Sequence, residues 1–415
     1  MPVAALHDVE SPLPPRPWTV GPVDDRLPEF IGLSVDGRAV LGDLKVLMVG
    51  LGSVGAPVAD HVARLGVREI ALVDPGRFKR NLGTQPILPE DVGRTKASRA
   101  AERVKAISPT TRARVFVGSV GQLSWPLLDG FDAICAATDN LTAEIAISSI
   151  GRALQIPVII GAVHGETLTA QVRVILNRND DGPCLLCGFG ESEWNLLNTG
   201  EARFSCSPDG EPVHQSAPQP TMSISPLCSL AADLVTLQLV RLSLGLGPAL
   251  TDCVLEYNGY RHATSITPLE RNPRCRADHL RFSPATVTRP LDELTLRQCA
   301  AAAAMDDGGL HDASFAVGDL VFAELLACGQ CGARPTLGRF VPRRDSTRRS
   351  CPACGAAALG VHQFHSFAQV PADRLGPAID RPLKSLGADG AAWVTIRRGD
   401  RGGLVRSRSS RRRAR

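Results

Sequence analysis

A chain of 415 residues is long enough for two or three domains, and 44% hydrophobic with 21% charged residues is an ordinary globular composition. The formal charge of +4 is small for this length, so no specific nucleic-acid partner is implied, and no apolar run is expected to span a membrane. The start carries neither a cationic segment nor an apolar core, so a cytoplasmic location is expected, with the 12 cysteines serving metal or thiol chemistry rather than disulfides.

In chain order, residues 1–24 are Pro-rich and aperiodic and read as a flexible or surface-draped arm, with a lead-in from 25 to 42. Val46 to Val49 is an apolar run without alternation, the pattern of a buried parallel strand. Gly50, Gly52 and Gly55 then open a segment with helical apolar spacing (Val54, Val58, Val62, Leu65), and a second strand, Ile70 to Val73, ends on Asp74. Glycines let backbone approach a phosphate, a helix start offers unpaired N–H groups, and an acid at the second strand's tip accepts from ribose hydroxyls. The bland alternative is a turn that serves packing alone. Lysine is scarce, supplied only by Lys45, Lys79, Lys96, Lys105 and Lys384. Lys96, at the first turn of an Ala-rich helix, is therefore either a phosphate ligand or a solvated surface cation. Ala113 to Val117 reads as a third strand and Phe131 to Ala137 as a fourth, which sets Asp139 and Asn140 where parallel strands open onto ligands. Either residue could also cap the next helix.

These parts, in this order and spacing, resemble the ThiF/MoeB/HesA family, whose adenylating fold is shared with ubiquitin-activating enzymes. The family pattern is a glycine turn, an acid after strand two, Asn-x-x-Arg-Gln, Gly-x-x-Lys and Asp-Asn after strand four. Here it is carried by Gly50, Gly52 and Gly55, Asp74, Asn81 and Gln85, Gly93 and Lys96, and Asp139 with Asn140. The resemblance covers residues 26–280 within a predicted 25–280 domain. It implies an α/β fold, a Rossmann-like, mostly parallel sheet with helices on both faces. It also implies ATP, Mg²⁺ and Zn²⁺, a homodimer, and adenylation of the C-terminal carboxylate of a small ubiquitin-like or sulfur-carrier protein or ribosomal peptide. In that reading Asp74 holds ribose, Asn81 and Gln85 line the phosphates, Lys96 and Asp139 are catalytic, and Arg26 is the counterpart of an arginine that reaches a partner subunit. Three positions depart from the pattern: Thr84 replaces the arginine before Gln85, Gly76 a second acid, and Glu144 an arginine after Asp-Asn. They leave open a degenerate scaffold that binds nucleotide or partner without turnover. An NAD-linked oxidoreductase shares the glycine turn but has no use for Lys96 or the cysteine pairs.

Leu141 to Leu154 is helical by spacing, Pro157 to Ala162 is a buried strand, and Leu168 to Leu176 alternates as a half-exposed one. Cys184-x-x-Cys187 follows a turn, a context that suits half of a zinc site better than a redox dithiol. The resemblance places the other half at Arg271-Asn272-Pro273-Arg274-Cys275, with Asp278 or His279 standing in for a missing cysteine. The stretch from Cys187 to Pro218 reads as a long polar loop, and Cys206 within it matches a loop cysteine that accepts the acyl group in some members. Ser223 to Leu244 predicts a long apolar helix with Cys228 in the core, and Cys253 to Tyr257 the closing strand.

Residues 281–395 form a separate module in which Cys328-x-x-Cys331 and Cys351-x-x-Cys354, each followed by glycine, have zinc-ribbon spacing. The arginines between the pairs (Arg339, Arg343, Arg344, Arg348, Arg349) read as a solvated face, and His362 and His365 as structural. A basic tail is predicted over 396–415, with its end, Arg406 to Arg415, disordered.

Overall fold

The computed structural model describes residues 7–8, 35–79, 84–123, 128, 130–177, 182–199, 223–246, 251–277, 279–318, 320–342, 349–361 and 366–407. They fall into two compact units, one ending at Asp278 and one beginning at His279.

The first unit runs β1 (His7–Asp8), α1 (Val35–Asp43), β2 (Lys45–Val49), α2 (Gly55–Arg64), β3 (Glu69–Val73), α3 (Lys96–Ile107), β4 (Arg112–Phe116) and β5 (Ala133–Ala136). It continues with α4 (Leu141–Leu154), β6 (Val158–His164), β7 (Thr169–Ile175), α5 (Glu191–Thr199), α6 (Ser225–Leu244), β8 (Cys253–Asn258) and β9 (Ala263–Pro268). A single sheet orders these strands β1-β4-β3-β2-β5-β6-β7-β8-β9. The run β4-β3-β2-β5-β6 is parallel, and β1, β7, β8 and β9 add antiparallel flanks. The apolar runs lack alternation because both faces are covered. Val46 and Met48 enter the core beneath α2, α3 and α6, whereas Leu47 and Val49 enter the core beneath α4. Successive helices thus leave β2 and β5 on opposite faces, and the crevice between their carboxyl ends is the switch point where α/β sheets take ligands.

Three parts of this unit differ from the sequence reading. Glu191–Thr199, inside the expected loop, is helix α5. Its two opening acids suit the positive end of a helix, and Glu193 accepts from the Gly190 N–H at 2.9 Å; charge placement rather than apolar period defines it. β8 is not the last strand, because β9 pairs along it and forms an edge whose residues are all exposed. α6, at 20 residues and a mean hydropathy of 1.5, does have the length and composition of a membrane span. Its Leu227, Ala231, Val235 and Leu239, one per turn, are buried in the core shared with α2, β6 and β7.

The second unit contains β10 (Arg281–Val287), α7 (Leu296–Ala302), β11 (Ala313–Val317), β12 (Leu320–Ala327), β13 (Thr336–Pro342), β14 (Arg349–Ser350), β15 (Ala357–Val361), β16 (Ser366–Phe367), β17 (Val370–Pro371), α8 (Ala372–Leu375), β18 (Trp393–Arg398) and β19 (Arg401–Ser407). One sheet has the order β10-β19-β18-β11-β17, and a second is built on β12 with β13, β14, β15 and β16. The tail predicted from 396 is instead sheet as far as Ser407. Gly402, Gly403, Leu404 and Val405 are buried between β10 and β18, and the flanking Arg398 and Arg401 are tied to Asp312 and Asp307 at 2.8 and 3.0 Å. Arginines at a hairpin corner had disguised an apolar strand. Residues 408–415, the arm 1–6 and 9–24, Arg26, Arg343, Arg344, Arg348, His362 and His365 lie outside the described residues.

Candidate active site

The turn after β2 is pressed against the end of β5, and that contact dictates its glycines. Gly50 has φ +83°, and a Cβ there would lie 2.3 Å from the Ala137 carbonyl oxygen. At Gly55 a Cβ would meet the Gly50 oxygen at 1.9 Å. Gly52 differs: nothing lies within 4 Å of where its Cβ would be, so the backbone there faces open space. Gly50→Ala is expected to cost about 1–3 kcal/mol through the left-handed backbone and the carbonyl contact, read as a lower denaturant midpoint at unchanged m-value.

Asp74 ends β3 with its side chain buried. One carboxylate oxygen accepts from the Leu51 N–H at 2.7 Å and the other from the Gly76 N–H at 2.6 Å, so the acid clamps the glycine turn to its own loop. Lys96, the first residue of α3, donates its backbone N–H to the Gly76 oxygen at 3.0 Å. A Cβ at Gly76 would lie 3.0 Å from an Asp74 oxygen and 3.6 Å from the Lys96 ammonium. The glycine that replaces an acid therefore leaves room for Lys96 to reach the mouth of the turn beside Asp74. Of the other cations nearby, Arg77 is bonded to the Gly93 oxygen at 2.8 Å, Arg99 lies 2.6 Å from the buried Asp91, and Lys79 is exposed.

Across the crevice, Asn140 caps α4 by accepting from the Thr142 N–H at 2.8 Å, so its structural role is met, and Asp139 beside it is exposed. Among the described residues, the buried Ser53 Oγ, Thr84 Oγ1, Gln85 Oε1 and Thr138 Oγ1 find no hydrogen-bond partner. Buried groups of this kind are normally satisfied. Orphans on the glycine turn and the tip of β5, together with the open space over Gly52, fit a polar ligand of nucleotide type. Ser53 and Thr138 were not singled out from sequence; the available signal was a hydroxyl within the glycine turn and another just before Asp139.

Glu144, in the first turn of α4, stands where the resemblance calls for an arginine. The cation arrives from another element: Arg173 on β7 lies 2.8 Å from the Glu144 carboxylate, both largely buried. The register sets Arg173 opposite Ile160, which is opposite Ala136, level with the carboxyl end of β5. Arg173→Ala should leave Glu144 charged and unpaired and cost about 3–5 kcal/mol in denaturant unfolding.

The sequence profile described as the ThiF family matches residues 26–277, more than half of the chain. The chain belongs to the ThiF family. Among curated proteins it is 25% identical over 246 residues to a sulfur carrier protein adenylyltransferase of Thermus thermophilus, covering 58% of this chain and 84% of that one. It is 26% identical over 247 residues to the SAMP-activating enzyme E1 of Haloferax volcanii, covering 58% and 82%. A crystal structure of E. coli MccB with AMPCPP and MccA aligns with 58% of this chain and 67% of that one, at 16% identity and a TM-score of 0.46.

Within the ThiF domain, the Cys184 sulfur lies 3.9 Å from that of Cys187 and 3.8 Å from that of Cys275. Thiolates about 2.3 Å from a tetrahedral zinc are about 3.8 Å apart, so the three thiols fit that ion. Asn81, Cys206 and Asp278 lie outside the described residues. Cys328, Cys331, Cys351 and Cys354 gather separately in the second unit.

Proposed function

We propose that the chain adenylates the C-terminal carboxylate of a small ubiquitin-like or sulfur-carrier protein, or of a ribosomal peptide, using ATP. The observation that carries this reading is the meeting of the glycine turn, Asp74 and Lys96 at the switch-point crevice, with Asp139 on its opposite lip. The names of the Thermus and Haloferax relatives support it.

A carboxylate is a poor electrophile. Its oxygen attacks the α-phosphorus of ATP, the bond to the bridging oxygen breaks, and pyrophosphate leaves with that electron pair, giving an acyl-adenylate. The chain's contribution is position and charge. The backbone N–H groups of the glycine turn ahead of α2 face the phosphates, and Gly52 permits close approach. The Lys96 ammonium offsets negative charge that the turn alone does not meet. Asp74 keeps the turn fixed, and the remaining lone pairs of its oxygens accept from ribose; Asn81 and Gln85 line the phosphates. Mg²⁺, held by Asp139, would neutralise the triphosphate. Cys206 is the candidate acceptor: attack of its thiolate on the acyl carbon displaces AMP and leaves a thioester. Cys184, Cys187 and Cys275, with an imidazole or carboxylate as fourth ligand, would hold a zinc ion that ties the segment after β7 to the segment after β9. The homodimer and cytoplasmic location belong to the same reading.

The test is exchange of labelled pyrophosphate into ATP, measured with the small-protein fraction of the source cells as acceptor. Exchange above the ATP-only background is the expected result. ATP binding in calorimetry with no exchange would sink the enzyme and favour a non-catalytic scaffold, the reading to which Thr84 and Glu144 lend support.

A further inference from the structure

We propose that Cys328, Cys331, Cys351 and Cys354 bind one zinc ion, and that this ion stands in for a hydrophobic core in the ribbon built on β12, β13, β14 and β15. The site lies outside the segment matched to the ThiF family and does not rest on the adenylation chemistry.

The sulfur spacing is the first ground. The Sγ atoms of Cys328 and Cys354 are 3.7 Å apart, as are those of Cys331 and Cys351, and all four lie within 4.8 Å of one another. Ligands about 2.3 Å from a tetrahedral centre stand about 3.8 Å apart, whereas a disulfide needs about 2.05 Å. The close pairs also run between the two Cys-x-x-Cys turns rather than within either one.

The second ground is that the two turns are built alike. Cys328 donates its N–H to the Ala333 oxygen at 2.9 Å, and Cys351 does the same to Ala356 at 2.9 Å. The Gly332 N–H bonds back to the Cys328 oxygen at 3.0 Å and the Gly355 N–H to the Cys351 oxygen at 2.8 Å. Both glycines have φ +72°, a left-handed value that lets each chain close its loop. Two segments distant in sequence thus present matched sulfur pairs to a common point.

The third ground is how small the apolar cluster is at this end. Among the described residues it consists of buried Leu326, Cys328 and Cys351, with Ala333, Leu337 and Ala356 partly covered. β14 has two residues and pairs irregularly with β15. Phe322 and Phe340 anchor the far part of β12 and β13 in the large core of this unit, so it is the cysteine end, with its two-residue strand, that needs a staple. Four sulfur ligands suit zinc or iron. Cys331 and Cys354 are exposed, which leaves the centre open to water, and zinc carries no redox chemistry to protect.

The test uses the full chain purified under reducing conditions. Elemental analysis gives zinc per chain for the wild type and for Cys331→Ser/Cys354→Ser, and peptide mass spectrometry follows alkylation of the four thiols with and without a chelator. The double variant should lose one equivalent of zinc. In the wild type, Cys331 and Cys354 should alkylate at least tenfold faster once the metal is stripped. Cys135 and Cys299, whose thiols burial pushes up to about 12, serve as unreactive internal controls. An unchanged zinc content in the variant, equal alkylation with and without chelator, iron in place of zinc, or recovery of Cys328–Cys354 and Cys331–Cys351 disulfides would each overturn the proposal. The wild-type arm stands even if the variant fails to fold.

Discussion

Lys96→Ala and Asp139→Ala should each abolish pyrophosphate exchange, by at least about 10²–10³-fold, and Lys96→Ala should leave the unfolding midpoint close to wild type. The helix start at Lys96 and the cap of α4 do not depend on these two side chains. The structural task of Lys96 is done by its backbone N–H on the Gly76 oxygen, which alanine retains, and helix α4 is capped by Asn140 rather than by Asp139. What alanine removes is a cation beside the glycine turn and an anion across the crevice from it. Lys96→Arg is expected to rescue little, because a planar fork does not replace a compact ammonium in the space that Gly76 leaves. Variants that keep more than about a tenth of wild-type exchange would remove these residues from the chemistry.

Asp74→Ala should act on stability and nucleotide affinity together. Both oxygens of this buried carboxylate are committed, to Leu51 and to Gly76. Truncation leaves two N–H donors without their acceptors at about 1–3 kcal/mol each, so roughly 2–6 kcal/mol should be lost in denaturant unfolding. The glycine turn also loses its tether, and affinity for a non-hydrolysable ATP analogue should fall at least about tenfold in calorimetry. Asp74→Asn should be intermediate, since the amide keeps one acceptor but turns its NH₂ toward a donor. Wild-type affinity in Asp74→Ala would mean that the turn is not the phosphate floor.

The ThiF core was legible because its signals are steric and local. Gly50 and Gly55 are demanded because a Cβ on either would lie only 2.3 or 1.9 Å from a backbone oxygen, and α4 spans Leu141–Leu154 as its spacing implies. The cysteine pairs were legible from spacing alone, and the convergence of Cys184, Cys187 and Cys275 on one point could be anticipated from the resemblance. Arg173 was not legible as the partner of Glu144. On an alternating strand it reads only as a polar-face residue, and the register that carries it to α4 is a long-range property. β19 was hidden for a compositional reason, since arginines flank its Gly-Gly-Leu-Val run. α5 was hidden because its start is marked by acids and not by an apolar stripe.

The most direct measurement of the central claim follows the oxygen atoms. The partner's C-terminal carboxylate is labelled with ¹⁸O, and AMP is analysed by mass spectrometry after one turnover with the wild-type enzyme. Attack of that carboxylate on the α-phosphorus predicts one ¹⁸O in each AMP released. AMP free of label, or ADP and phosphate in its place, would contradict the account.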